Sequence, residues 1–197
     1  MGRLQPSFVM DGESIGDVFH AFYLLELDGA DLRELPYRDR LERLQSLVGG
    51  GTEAIAVART AVGAKEKRKL MAELKAANKE GIVFKSLSAH WYAGRPENGG
   101  SALKCKFWSS ASCVVSKVNA KRSIEVSLDG KSIGNVTIPP NKDIPEVGQV
   151  VEIKYLYVVG VGGKLYQPIY LGPRDDVDAS ECTVAGQRIK YKPETED

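Results

Sequence analysis

The sequence predicts an α+β chain: a first half that mixes strands with two amphipathic helices, followed by a small antiparallel β-barrel. Two observations carry this expectation. Apolar letters recur at helical spacing only in the stretches 36–48 and 65–78. From Leu103 onward, short runs rich in Val, Ile and Tyr alternate with turn letters. The length of 197 residues allows one domain, or two of about 100 residues each.

Residues 18–27, Val-Phe-His-Ala-Phe-Tyr-Leu-Leu-Glu-Leu, are too apolar for a surface strand and too short for a helix. They read as a buried strand ending at the Asp28-Gly29 turn. Pro36 opens a helix whose Leu41, Leu44, Leu47 and Val48 share one face, and Gly49-Gly50-Gly51 closes it. The apolar stretch from Ala54 to Val62 includes another strand. A second helix covers 65–78, with Leu70, Met71 and Leu74 as its buried stripe. Gly81 ends the helical pattern and Ile82-Val83-Phe84-Lys85 continues as a strand. Further strands are expected at 103–108, 112–119, 123–128, 132–138, 149–158 and 164–171, with Asp129-Gly130 as a hairpin turn. This density of short strands predicts a small barrel, with an OB-fold the leading form because it suits nucleic-acid partners. The boundary falls near 104–110, and the tail Pro193-Glu194-Thr195-Glu196-Asp197 reads as frayed.

Composition excludes several classes. No run of about 18 apolar residues exists, so no transmembrane helix and no membrane partner are expected. Met1-Gly2-Arg3-Leu4-Gln5-Pro6 lacks the apolar core of a signal peptide. Cys105, Cys113 and Cys182 form no CxxC pair and no even framework, which fits a reduced, cytoplasmic chain without structural zinc. The net charge of +1 conceals an uneven distribution. Residues 1–64 hold 6 Arg, no Lys and 10 acids; residues 65–122 hold 13 basic residues and 4 acids; residues 123–197 hold 8 and 12. A basic centre between acidic flanks points to a local phosphate-binding surface, although Lys65-Glu66-Lys67-Arg68-Lys69 reads equally as the solvated start of a helix.

Three clusters offer chemistry. Asp11-Gly12-Glu13 sets two carboxylates in a turn or strand end. Glu80-Gly81-Ile82-Val83-Phe84-Lys85 brackets an apolar strand with a carboxylate and an ammonium. Five residues separate the two, so a regular strand would aim them at opposite faces, and one must sit at an irregular strand end to share a site. In Lys104-Cys105-Lys106 the strand period of two puts both lysines on one face, where a polyphosphate or plain solvent would satisfy them. Trp91 and Tyr92, near Arg95, are either a stacking surface for DNA or a half-buried aromatic pair.

Taken in order, these clusters resemble the motif series of the covalent nucleotidyltransferases, most closely the ATP-dependent DNA ligases. Asp11-Gly12-Glu13 resembles motif III. The run His20-Ala21-Phe22-Tyr23-Leu24-Leu25-Glu26-Leu27-Asp28-Gly29, continued by Asp31-Leu32-Arg33-Glu34-Leu35-Pro36, resembles motif IIIa. Glu80 to Lys85 resembles motif IV, Lys104-Cys105-Lys106 motif V, and Gln167-Pro168-Ile169-Tyr170-Leu171-Gly172-Pro173-Arg174-Asp175-Asp176 a divergent motif VI. The resemblance spans residues 8–185. It implies the C-terminal part of an adenylation domain over 1–106 and an OB domain over 107–197.

The resemblance also implies a chemistry. A lysine of such a ligase attacks the ATP α-phosphate, giving lysine–AMP and pyrophosphate. AMP passes to the 5′-phosphate of a nick, and the 3′-hydroxyl displaces it. Lys104 and Lys106 would act on the α-phosphate, Lys104 as the more direct contact, Glu80 would hold Mg²⁺, and Glu13 would serve the ribose or the metal. Phe22 would stack on adenine unless it is purely a core residue, and Lys85 would support the nucleotide pocket. Arg174 and Asp175 would face the pyrophosphate. The implied partners are nicked double-stranded DNA and ATP or AMP.

Departures from the pattern matter as much. The family's nucleophile stands in Lys-x-Asp-Gly, some tens of residues before motif III. Asp-Gly occurs here at 11–12, 28–29 and 129–130, preceded two residues earlier by Val9, Glu26 and Ser127, and the first lysine is Lys65. The chain is therefore expected to begin after the nucleophile, not to adenylylate itself, and to rely on a second copy or a missing N-terminal half. The aspartate usual after Phe22 is Tyr23, and the lysine usual at the end of motif VI is Val177. Two other readings remain: a DNA-binding or regulatory module derived from a ligase, and a relative of RNA ligases or capping enzymes. The continuous Leu27-Asp28-Gly29-Ala30-Asp31-Leu32 run favours the DNA branch.

Overall fold

The computed structural model describes residues 6–49, 53–94, 99–160 and 162–193. Gly50, Gly51, Arg95 and the tail from Glu194 lie outside them. Packing divides the chain into two units. One runs through Leu70 and resumes over Ile82–Cys105; the other holds Met71–Gly81 and continues from Lys106.

In the first unit, strands β1 (Phe8–Ile15) and β2 (Val18–Leu27) pair antiparallel from Phe8–Leu27 to Ile15–Val18 across the two-residue turn Gly16-Asp17. Strand β2 also pairs antiparallel with β3 (Ala30–Asp31) and parallel with β4 (Ile55–Val57). The sequence places Asp11-Gly12-Glu13 at a turn or strand end. The structure puts it inside β1, with a shift in pairing register between Asp11 and Gly12. Close approach explains the glycine. A Cβ there would lie 2.5 Å from the His20 carbonyl oxygen and 2.6 Å from the Phe19 ring. Gly12→Ala is expected to cost about 1–3 kcal/mol by overpacking the hairpin, measured by chemical denaturation; unchanged stability would show that β1 can shift without loss.

Helix α1 (Tyr37–Val48) lays its apolar stripe on this sheet. Ala21, Leu24, Leu32 and Leu44 are fully buried, surrounded by Met10, Phe19, Leu27, Leu35, Leu47, Val48 and Val57. Each large aliphatic side chain so buried contributes about 1.5–3 kcal/mol. Pro36 stands at the helix N-cap without a side-chain cap. Instead, the Tyr37 and Arg38 amides donate to the carbonyls of Ala89 (2.8 Å) and Leu87 (2.9 Å), which satisfies two of the orphan donors of the first turn. Gly49 ends the helix with φ of 62°, a backbone state that favours glycine.

Helix α2 (Ala64–Ala76) only half-buries Leu70, Met71 and Leu74, so the buried stripe expected there is shallower than predicted. Its Lys65, Lys67, Arg68 and Lys69 are exposed. Strands β5 (Gly81–Lys85) and β6 (Ala102–Lys106) form a two-stranded ribbon.

The second unit holds β7 (Ser109–Asn119), β8 (Ser123–Leu128), β9 (Lys131–Thr137), β10 (Val150–Tyr155), β11 (Tyr157–Val158), β12 (Leu165–Tyr166) and β13 (Ile169–Pro173). Five of them form an antiparallel sheet in the order β13-β10-β7-β8-β9, while β11 pairs with β12. Asp129-Gly130 is the two-residue hairpin turn expected, both residues with positive φ. Two predicted strands are each broken in two. The 149–158 segment breaks at Leu156, whose amide donates to Tyr166 rather than to the main ladder. The 164–171 segment breaks at Gln167, with φ of 52°, followed by Pro168, which has no amide hydrogen to give a ladder. The closed barrel predicted is an open sheet among the described residues: β9 and β13 approach within 8 Å between Cα atoms but share no ladder.

The sheet's core comprises Val115, Ile124, Val126, Val151, Ile153, Tyr155 and their neighbours. Residues 178–191 lie along it. A 3-10 turn (Ala179–Glu181), closed by reciprocal bonds between Asp178 and Glu181, leads to buried Cys182. Gln187 then accepts from the Ser112 amide at 2.8 Å. No helix among the described residues is long and apolar enough to cross a membrane.

Candidate functional site

Within the first unit the chemistry converges on Lys85, the last residue of β5. Its ammonium nitrogen lies 3.6 Å from the centroid of the Tyr23 ring and 4.9 Å from those of Phe22 and Tyr37. It donates a 3.3 Å hydrogen bond to the Phe22 carbonyl oxygen. Strand β2 supplies two of the rings and the first residue of α1 the third. Arg40, one turn further along α1, packs its guanidinium 5.3 Å from the Tyr23 ring and 5.6 Å from Tyr37. It donates to the Leu35 and Ala89 carbonyls at 3.1 and 3.3 Å. Its Nη1 finds no partner among the described residues, although the side chain is only 1% exposed.

This packing governs ionisation. Burial pushes the Lys85 pKa down from 10.5 to about 8, opposed by Asp11 and reinforced by Arg40. Burial pushes the Tyr37 hydroxyl up to about 12 and raises that of Tyr23. Between about pH 8 and 10.5 the unfolded chain holds a proton that folded Lys85 has released, so stability rises with pH in that window. Above about pH 10 the two tyrosines oppose the trend, because only the unfolded chain ionises them readily. Urea denaturation from neutral pH upward is expected to show the rise in the native chain and not in Lys85→Met. Parallel profiles would overturn the assignment to Lys85.

The second unit holds another cation. Lys106 Nζ lies 3.5 Å from a Glu80 carboxylate oxygen and donates to Gln167 Oε1 at 2.8 Å. It also lies 5.7 Å from the Trp108 ring centroid, with Lys154 4.9 Å from the same ring. Glu80 immediately precedes β5, so it escapes the strand's alternation, and its carbonyl accepts from the Phe107 amide at 2.8 Å. That bond holds Glu80 alongside the end of β6 and explains how its carboxylate reaches Lys106.

The remaining candidates are placed as follows. Glu13 and Lys104 are exposed on β1 and β6. Phe22 is half-buried, its ring edge-on to Tyr23. Arg174 is bound to Asp176 at 2.7 and 3.0 Å and to Glu152 at 2.9 Å, contacts that hold its guanidinium firmly charged. Asp175 is exposed. Trp91 is half-buried beneath the Arg33 guanidinium at 5.7 Å, while Tyr92 is exposed. Sequence reading missed Tyr37, Arg40 and Gln167 as neighbours of the key lysines. None stands beside its lysine in the sequence, and no local periodicity announces them.

No three His, Cys, Asp or Glu side chains among the described residues gather into a metal cage. Magnesium does not require one, since it binds through one or two carboxylates together with substrate phosphates and water. The half-exposed Glu80 carboxylate fits that donor set. A cavity of about 620 Å³ in the first unit, lined by Asp28, Asp39, Glu42 and Arg43 among others, includes none of the candidate residues.

By fold, the chain falls in the class of DNA-ligase-like proteins. A Lig E DNA ligase, described for DNA binding with a minimal scaffold, superposes with a TM-score of 0.60 at 18% identity, over 80% of this chain and 63% of that one. A protein designated Pmar-Lig_Pre gives 0.62 at 19% identity, over 84% of this chain and 46% of that one. The chain thus spans less than two thirds of the length of either, and at such identities the likeness is one of fold. Sequence carries the assignment further. The family model described as "ATP dependent DNA ligase domain" matches residues 5–106, just over half the chain, and the chain belongs to that family. No curated protein matches it.

Proposed function

We propose that this chain is the C-terminal portion of a nick-sealing, ATP-dependent DNA ligase: part of the adenylation domain followed by an OB-type domain. The observation that supports this best is the meeting of Glu80 and Lys106, the motif IV carboxylate and a motif V lysine, in one ion pair. An ammonium and a carboxylate held this way match a ligand that carries both phosphate oxygens and a metal ion. In this reading Lys106 exchanges Glu80 and Gln167 for an α-phosphate oxygen, and Lys104, exposed on the same strand, joins it. Bound at Glu80, Mg²⁺ would neutralise phosphate charge as the leaving group departs. Lys85 supports the nucleotide pocket, Phe22 stacks on adenine, and Glu13 serves the ribose or the metal. Arg174 and Asp175 contact pyrophosphate once Arg174 releases Asp176. Nicked duplex DNA is the second substrate.

A further reading, a non-catalytic DNA-binding module, draws on the lack of Lys-x-Asp-Gly within these residues. Titration calorimetry with ATP and a magnesium salt tests the nucleotide site. Lys106→Ala is expected to weaken binding by about 10- to 100-fold, the loss of one charge-assisted contact. Equal affinity in native chain and variant would remove Lys106 from the site. A native chain that binds nicked duplex but no nucleotide would favour the module.

A further inference from the structure

We propose that Tyr37, outside every motif of the family pattern, is a positioning residue that aims the Lys85 ammonium at the bound nucleotide; the inference rests on the nucleotide site proposed above. Tyr37 is 6% exposed and opens α1, and its ring face lies 4.9 Å from Lys85 Nζ. With Tyr23 at 3.6 Å and Phe22 at 4.9 Å, it completes an aromatic box that leaves the ammonium one acceptor among the described residues, the Phe22 carbonyl. A ring face attracts a cation through its quadrupole and offers it no hydrogen-bond acceptor. The ammonium is therefore held in direction while two of its hydrogens stay available to a phosphate. A carboxylate in the position of Tyr23 would instead neutralise Lys85 and take up those hydrogens.

Arg40 makes the box rigid. Its guanidinium stacks against both tyrosines and is anchored to the Leu35 and Ala89 carbonyls. Ala89 also accepts from the Tyr37 amide, so one carbonyl fixes both the ring and the guanidinium behind it. The charged and titratable groups acting on Lys85 from the packed elements are Asp11 on β1, Tyr23 on β2, and Tyr37 and Arg40 on α1. Asp11 favours the ammonium and Arg40 disfavours it.

The test combines pH-dependent acylation of Lys85, read by mass spectrometry of its peptide, with ATP calorimetry. Tyr37→Leu keeps the apolar burial and removes the ring face. Lys85 is then expected to titrate about one pH unit lower, a roughly tenfold loss of proton affinity, with ATP affinity falling more at pH 8 than at pH 6.5. Tyr37→Phe keeps the ring face and is expected to restore both readouts. Leu44→Val, which loosens the same core without touching the box, separates positioning from general destabilisation and should leave the Lys85 titration in place. Two outcomes overturn the proposal: an unshifted Lys85 titration in Tyr37→Leu, or an equal shift in Leu44→Val. If the native chain binds no ATP, the proposed function fails, while the titration arm still decides whether Tyr37 controls Lys85.

Discussion

Incubated with α-labelled ATP and a magnesium salt and then denatured, the 197-residue chain is expected to carry no covalent AMP. The expected difference is all or none, because the motif series that the chain resembles sets the attacking lysine two residues before an Asp-Gly pair. The three Asp-Gly pairs here follow Val9, Glu26 and Ser127. Structure adds a second reason. Asp28-Gly29 and Asp129-Gly130 are two-residue turns with positive φ, and Asp11-Gly12 lies inside β1 with its glycine against the next strand. The amine best placed to compete among the described residues is Lys85, whose pKa, pushed down by burial to about 8, leaves roughly a tenth of it neutral at pH 7. Label retained on Lys85, located by peptide mapping, would defeat the expectation and make the aromatic box a nucleophile's surround.

Arg40→Ala is expected to destabilise the first unit by about 3–4 kcal/mol, roughly 150- to 900-fold in its folding equilibrium. The side chain is essentially fully buried, so truncation leaves a cavity against two tyrosine rings and removes a donor from each of the Leu35 and Ala89 carbonyls, the latter keeping the Tyr37 amide. Arg40→Met separates the two causes. It fills most of the volume without the hydrogen bonds and is expected to cost about 1–2 kcal/mol. Urea denaturation of the three proteins measures the order. Should Arg40→Met match or exceed the native stability, burial of the guanidinium, with its unpartnered Nη1, outweighs what its hydrogen bonds contribute.

Much of the fold follows from short-range pattern. The apolar run 18–27 is β2, Pro36 and Gly49 flank α1, and Asp129-Gly130 turns a hairpin, because each signal acts within a few residues. The Asp-Gly signal misleads at residues 11–12. Glycine serves there to let strands approach, and only the neighbouring strand, with Phe19 and the His20 carbonyl, reveals that purpose. Sheet closure was equally hidden, since nothing local decides whether edge strands finish within bonding reach. For the site, five-residue spacing required an irregularity around Glu80 or Lys85, and Glu80 does precede its strand. The surround of Lys85 was not legible: Tyr37 comes from 48 positions away, set by the packing of α1 on β2. The same applies to Gln167, which lies 61 positions from Lys106.

The segment across residues 178–191 has a consequence for the order in which the second unit assembles. Strands β7, β8 and β9 are consecutive hairpins and close small loops, so they can nucleate early. Strand β10 must return to β7, and Gln187 must reach Ser112 across 75 residues before Cys182, Ile189 and Tyr191 can join the sheet's core. The segment is therefore expected to arrive late, so that truncating Gln187 speeds unfolding more than it slows folding, as stopped-flow kinetics would measure. It gives the unit persistence in time more than speed of formation.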